Sequence, residues 1–203
     1  ATIYTLDDKV GEASAFVVND GRFIAVGGEE LLGEYSGRVL DLQGLPIYPG
    51  LIDSHCHFMS LGLSLQQVDL KGTQSFEEVV DRVKNFVKNK NLNAVMGRGW
   101  DQNDWEDQSL PNKSVLDSLF PDIPVALRRI DGHALLVNQK ALDLAGIDGT
   151  TEVAGGAVVK EKGKLTGVLV DTPMKLVNAI LPKPSKEKKI KALQDASKIA
   201  FEN

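Results

Sequence analysis

The sequence predicts an α/β protein, and three features lead to that class. The first quarter of the chain is strand-like throughout. From about residue 72 onward, segments with apolar residues at helical spacing alternate with short β-branched runs. Between these regions lies Gly50-Leu51-Ile52-Asp53-Ser54-His55-Cys56-His57. There the apolar run Ile47 to Ile52, broken by Pro49-Gly50, reads as a buried strand whose far end carries polar groups.

Taken in order, Ile3 to Leu6, Ala15 to Val18 and Arg22 to Val26 read as strands, the last two joined by a hairpin at Asn19-Asp20-Gly21. Val39 to Leu42 and Leu45 to Ile47 continue the pattern. Phe58 to Leu70 is a mixed apolar stretch predicted as a loop. Ser75 and Glu78 have capping-box spacing, and Phe76, Val79, Val80, Val83, Phe86 and Val87 form the apolar face of a helix ending near Lys88. A strand at Ala94 to Gly99, a short helix at Asn112 to Phe120 and a strand at Pro124 to Ile130 follow. Asn138 caps a helix that Gly146 ends. Residues 157–161 and 165–170 form a hairpin turned at Lys162-Gly163. Pro173 opens one helix and Ser185 another, the last with Ile190, Leu193, Ala196, Ala200 and Phe201 facing inward.

On a strand, alternate side chains share a face, so His55 and His57 would point the same way, with Asp53 in the same parity and Cys56 opposite as a small buried hydrophobe. Neutral imidazoles at that spacing suit Zn²⁺ or a related ion, and the pattern favours ligation over the alternative, a structural role. Asp53 either orients a histidine through an outer hydrogen bond or satisfies nearby backbone. Trp100-Asp101-Gln102 and Arg129-Ile130-Asp131-Gly132-His133 gather polar and aromatic groups just past strand ends. Of the neighbours Arg128 and Arg129, a strand lets only one face a pocket.

With 203 residues and a net charge of −5, the chain offers no clustered basic surface for nucleic acid. No window approaches a membrane span, and one cysteine forms no internal disulfide, which fits the cytoplasm unless an N-terminal leader has been removed. Serine-hydrolase elbows, phosphate-binding loops and dinucleotide fingerprints are missing from the sequence.

The segment GLIDSHCHF, following DLQGLPIYP, together with GRGWDQNDW at 97–105 and RRIDGHALLVNQKAL at 128–142, resembles the metal-dependent amidohydrolase superfamily, in its YtcJ-like, N-substituted formamide deformylase-like branch. The resemblance implies an incomplete metal-dependent (β/α)8 barrel with an N-terminal β-sandwich portion (1–49), a first barrel strand and metal-binding loop (50–71), an inserted α+β domain (72–170) and helices returning to the barrel (171–203). A full barrel needs about 250 residues, so the chain reads as the N-terminal part of a longer protein. By the same resemblance, His55 and His57 are metal ligands, for one or two ions of Zn²⁺ or another divalent transition metal in the full-length protein. The remaining ligands and the general base are expected beyond Asn203. Asp101, Arg129 and His133 are either substrate contacts over the barrel mouth or a structural network within the insertion, and Trp100 is either a contact or core packing. The implied reaction is hydrolysis of an amide, formamide or related C–N bond in a small molecule, by a protein that is a homodimer or a monomer when complete. The alternative is a non-catalytic metal-binding or structural protein that retains the scaffold.

Overall fold

The computed structural model describes residues 1–202. It divides into two units, Ala1–Cys56 and the chain from His57 on.

The first unit is a small β structure. Strand β1 (Thr2–Tyr4) pairs antiparallel with β2 (Glu12–Ala13), while β3 (Ala15–Asn19) and β4 (Arg22–Gly27) form a hairpin. The hairpin turns at Asp20 and Gly21, both at positive φ (50° and 72°), as the Asp-Gly pair predicts. One helical turn, α1 (Leu31–Glu34), follows, and β5 (Pro46–Ile47) adds parallel to β1. Ile3 and Leu31 are the unit's buried apolar side chains, and Tyr4 stacks on Tyr48 at 4.7 Å.

Two expectations fail in this unit. Val39 to Leu42 form no strand, and Val39, Leu40 and Asp41 lie exposed. Residues 48–57 form none either: Leu51 and Ile52 are 99% and 93% exposed. A strand is stable only when a neighbouring strand takes up its backbone groups, and among the described residues no strand pairs with this run. The Asp53 carboxylate instead accepts from the His55 amide at 2.9 Å, a local bond that competes with extended pairing and bends the chain at Ser54-His55.

The second unit begins with α2 (Phe58–Ser64) and β6 (Val68–Asp69), where the sequence reading placed a loop. Then come α3 (Phe76–Val87), β7 (Val95–Trp100), a 3-10 turn (Gln102–Asp104), α4 (Ser114–Leu119), β8 (Val125–Arg129), β9 (Ala134–Val137) and α5 (Gln139–Leu144). The hairpin β10 (Gly156–Glu161) and β11 (Lys164–Asp171) leads to α6 (Met174–Ile180) and α7 (Lys186–Glu202).

The strands make one open six-stranded sheet ordered β10-β11-β9-β8-β7-β6. The three strands β6, β7 and β8 run parallel; β9, β11 and β10 pair antiparallel. Strand alternation builds a core on each face. Val125, Leu127, Ala134, Leu136 and Val168 pack with Val79, Val83 of α3 and Leu116 of α4. Ala126, Leu135, Val137 and Leu169 pack with Ala141, Leu142 of α5 and Met174, Val177 of α6. The sheet thus runs from Val68 to Asp171 and shares a core with α6.

Both sheet edges are modified. Strand β6 is only two residues long, and Arg82 of α3 donates to the carbonyls of Asp69 (3.3 Å) and Lys71 (2.8 Å) beside it. Strand β10 carries a register irregularity between Val158 and Lys160.

Helix α7 buries Ala192 and Ala196, whereas Ile190, Leu193, Ala200 and Phe201 are exposed, against expectation. The reason is its partner: α2 brings Gly62 against the Ala192 backbone, and an approach that close selects small side chains. Among the described residues no barrel closes, and no helix is long and apolar enough to cross a membrane.

Candidate functional site

The polar residues of the second unit converge at one end of the sheet, where β7 and β8 finish, β9 begins and β11 finishes. Parallel strands collect loops at their carboxyl ends, which is where open α/β sheets carry ligands.

Asp101 follows β7 and accepts from the Asn103 amide (3.0 Å) and the Asn103 side chain (2.8 Å), fixing the 3-10 turn. Arg129 ends β8 and meets Asp131 as a two-pronged fork, Nε to Oδ1 at 3.1 Å and Nη2 to Oδ2 at 2.7 Å. Asp131 Oδ1 also accepts from the His133 amide at 2.9 Å. His133 Nδ1 stands 2.7 Å from Asp171 Oδ1, and because a carboxylate only accepts, Nδ1 carries the proton. Arg129, Asp131, His133 and Asp171, up to 42 residues apart (171 less 129), are thereby strung together, with the Asp131–His133 link made through the His133 amide.

The electrostatics follow from these contacts. The Arg129 hydrogen bond holds the Asp131 carboxyl below the usual carboxylate range. Asp171, through its hydrogen bond and charge, and then Asp131 raise His133 above an ordinary histidine. The bond to Asp131, with Asp101 and Asp171 nearby, secures the cation on Arg129.

Arg128 goes to the other face, as strand alternation requires: it donates to Gly132 O (3.2 Å) and Asn178 Oδ1 (2.9 Å), and burial lowers its pKa. Trp100 is fully buried, donates from Nε1 to Leu127 O at 2.8 Å and packs at 6.1 Å from Trp105, so it is core. A separate recess of about 370 Å³, between the first turn of α3 and the loop after β7, is lined by Phe76, Glu77, Trp105, Asp107 and Leu110 among others, and by none of the candidate contacts.

Asp101, Arg129 and His133 are therefore brought to one end of one sheet. His55 lies at the end of the first unit and His57 starts the second, immediately before α2. Asp53 binds the His55 backbone. Asp131 and Asp171 are the partners that sequence reasoning did not single out. Asp131 was signalled by its place between Arg129 and His133; Asp171 depends on the pairing of β11 with β9, a strand the periodicity did not reveal.

The amidohydrolase family model matches residues 38–199, and the chain belongs to that family, in its YtcJ-like branch. It is 37% identical over 206 residues to Protein LONG AFTER FAR-RED 3 of Arabidopsis thaliana, covering 98% of this chain and 35% of that one. It is 34% identical to YtcJ of Bacillus subtilis (97% of this chain, 38% of that one). Identity to N-substituted formamide deformylase of Arthrobacter pascens is 30% (88% and 34%). The chain spans about a third of the length of these relatives. Its fold matches the crystal structure of an uncharacterized metal-dependent hydrolase from Pyrococcus horikoshii with a TM-score of 0.69 at 26% identity, over 99% of this chain and 39% of that one.

Imidazole is a fitting donor for a catalytic divalent ion, but among the described residues no group of three or more His, Cys, Asp or Glu side chains gathers to hold one. His55 and His57 supply at most part of a ligand set.

Proposed function

We propose that this chain is the N-terminal part of a metal-dependent amidohydrolase that cleaves an amide, formamide or related C–N bond in a small molecule. The family match over residues 38–199 carries the reading, and the likeness to a formamide deformylase and to a metal-dependent hydrolase supports it. In this reading the chain contributes the opening part of a barrel, with a β-sandwich portion before it and the six-stranded α/β unit inserted. His55 and His57 would be two of the ligands that hold Zn²⁺ or another divalent ion, and when bound such an ion would supply Lewis acidity for hydrolysis. In this reading the remaining ligands and the general base come from outside this chain. This chain also supplies recognition: Asp101, fixed by Asn103, Arg129, held by Asp131, and His133, held by Asp131 and Asp171, offer donors and acceptors to a polar amide.

The test is hydrolysis of a panel of N-acyl and N-formyl amines by the complete reading frame with added Zn²⁺, beside its His55→Ala and His57→Ala variants. Loss of either ligand should slow turnover by on the order of 10³-fold or more. A double variant that keeps both its bound metal and its rate would overturn the ligand assignment, whereas a complete protein that binds the metal and turns over none of the panel would leave the non-catalytic scaffold as the reading.

A further inference from the structure

We propose that Asp171 is a positioning residue for His133, holding its ring by Nδ1 so that Nε2 is presented as the nitrogen that meets the carbonyl oxygen of an amide substrate. The proposal deepens the substrate reading above and rests on it.

Three features point to this role. The contact is short, 2.7 Å, and joins the residue just before β9 to the last residue of β11. It is reinforced by a second bond between the same residues, from the Asp171 amide to the His133 carbonyl at 3.0 Å, so backbone and side chain are registered together. Finally, Asp171 sits at φ +56°, in the left-handed region, at the last position of β11. Left-handed backbone at a non-glycine residue persists only where its surroundings enforce it, and such residues concentrate at functional sites. Here the enforcement is visible. On one side the Asp171 amide is tied to His133; on the other, Thr172 bonds the Gly155 carbonyl through both its amide (3.2 Å) and its hydroxyl (2.7 Å).

The remaining charges explain why Asp171, and not a neighbour, has this role. Asp131 is engaged by the Arg129 fork and touches His133 only at the backbone amide. Asp101 is bonded to Asn103. Asp171 therefore holds the ring, while Asp131 holds the main chain that carries it. Tying Nδ1–H to a carboxylate leaves Nε2 for a ligand on a ring whose side chain is 69% exposed. The same bond favours the imidazolium, in which Nε2 also carries a proton and donates to oxygen.

The experiment is a pH titration of the ¹⁵N-labelled 203-residue chain, following the His133 ring nitrogens by long-range ¹H–¹⁵N NMR, with His133 assigned by its loss in His133→Gln. Asp171→Asn and Asp171→Gly both tolerate left-handed backbone and both remove the charge. Each should lower the His133 titration midpoint, and Asp171→Gly, which leaves no side-chain acceptor, should also abolish the Nδ1–H preference of the neutral ring, with unchanged far-ultraviolet circular dichroism. If neither midpoint nor tautomer moves in whichever variant folds, the proposal is overturned. Adding N-methylacetamide separates the two readings. A shift at Nε2 in the native chain that vanishes in Asp171→Gly supports both. A ring that depends on Asp171 but ignores the amide overturns the substrate reading alone.

Discussion

A Cβ added to Gly62 would lie 1.9 Å from the carbonyl oxygen of Ala192. Glycine inside a helix ordinarily costs about 1 kcal/mol relative to alanine, so Gly62→Ala in isolation would favour α2. The obstruction is backbone, which cannot swing aside as a side chain would. Overpacking costs about 1–3 kcal/mol, and the clash outweighs the propensity gain. Gly62→Ala should therefore lower the unfolding midpoint in denaturant, and an increase would show that the two helices part freely.

Asn138 is fully buried and satisfied on every side. Its Nδ2 donates to Phe120 O (2.7 Å) and Ile123 O (2.9 Å), and its Oδ1 accepts from the amides of Val125 (2.9 Å) and Ala141 (3.1 Å). One amide thus caps α5, starts β8 and closes the loop after α4. Asn138→Ala would strand several buried backbone groups at once, each costing about 1–3 kcal/mol, so a loss of at least 3 kcal/mol is expected. Chemical denaturation checks it; a loss under about 1 kcal/mol would mean that water replaces the amide.

At α3, Ser75 Oγ accepts from the Glu78 amide at 3.2 Å, and Glu78 Oε2 reaches back to the Gln74 amide at 2.8 Å. Ser75→Ala should cost about 1 kcal/mol, a fall of roughly 2–4 °C in melting temperature for a chain of this size. Ser75→Asp, which keeps an acceptor at the N-cap, should recover most of it. Failure of that rescue would show that the hydroxyl is not the cap.

The charged string makes stability depend on pH in two opposed directions. The Asp131 carboxyl is depressed by Arg129, so its contribution is present above the ordinary carboxylate value of 3.8 and is lost as pH falls through its lower folded value. His133 is raised by Asp171, so its contribution is complete below 6.5 and is lost as pH rises through its higher folded value. Both are present between those limits. In thermal melts, the advantage of the native chain over His133→Gln should be larger at about pH 5.5 than at about pH 9. The reverse order would contradict the His133–Asp171 pairing.

What the sequence revealed was whatever is decided locally. The Asp20-Gly21 turn, the Ser75 cap, the apolar stripe of α3 and the opposite faces of Arg128 and Arg129 depend on neighbours a few residues away, and all are found. Strand β9 was missed because Ala134, Leu135, Leu136 and Val137 are buried on both faces and show no alternation. Helix α2 was missed because its glycine answers to α7 and not to its own helix. The run at 47–57 has a strand's composition, but extended structure is completed by partners distant in sequence, and composition does not announce whether they are there. The same limit governs the site. Asp101, Arg129 and His133 stood out as polar groups at strand ends, whereas Asp171 gained its place only through the pairing of Val170 with Ala134.

The edges of the six-stranded sheet bear on how the molecule behaves in company. An extended segment from another chain needs an unbroken row of acceptors and donors to join a sheet. At β6 it would find two residues, with the guanidinium of Arg82 already occupying the carbonyls of Asp69 and Lys71. At β10 the irregular register after Val158 interrupts the row, and Lys160 is pulled aside to the Gly149 carbonyl at 2.7 Å. Both edges of the sheet thus offer a shortened or irregular row to lateral pairing, which disfavours strand exchange between molecules.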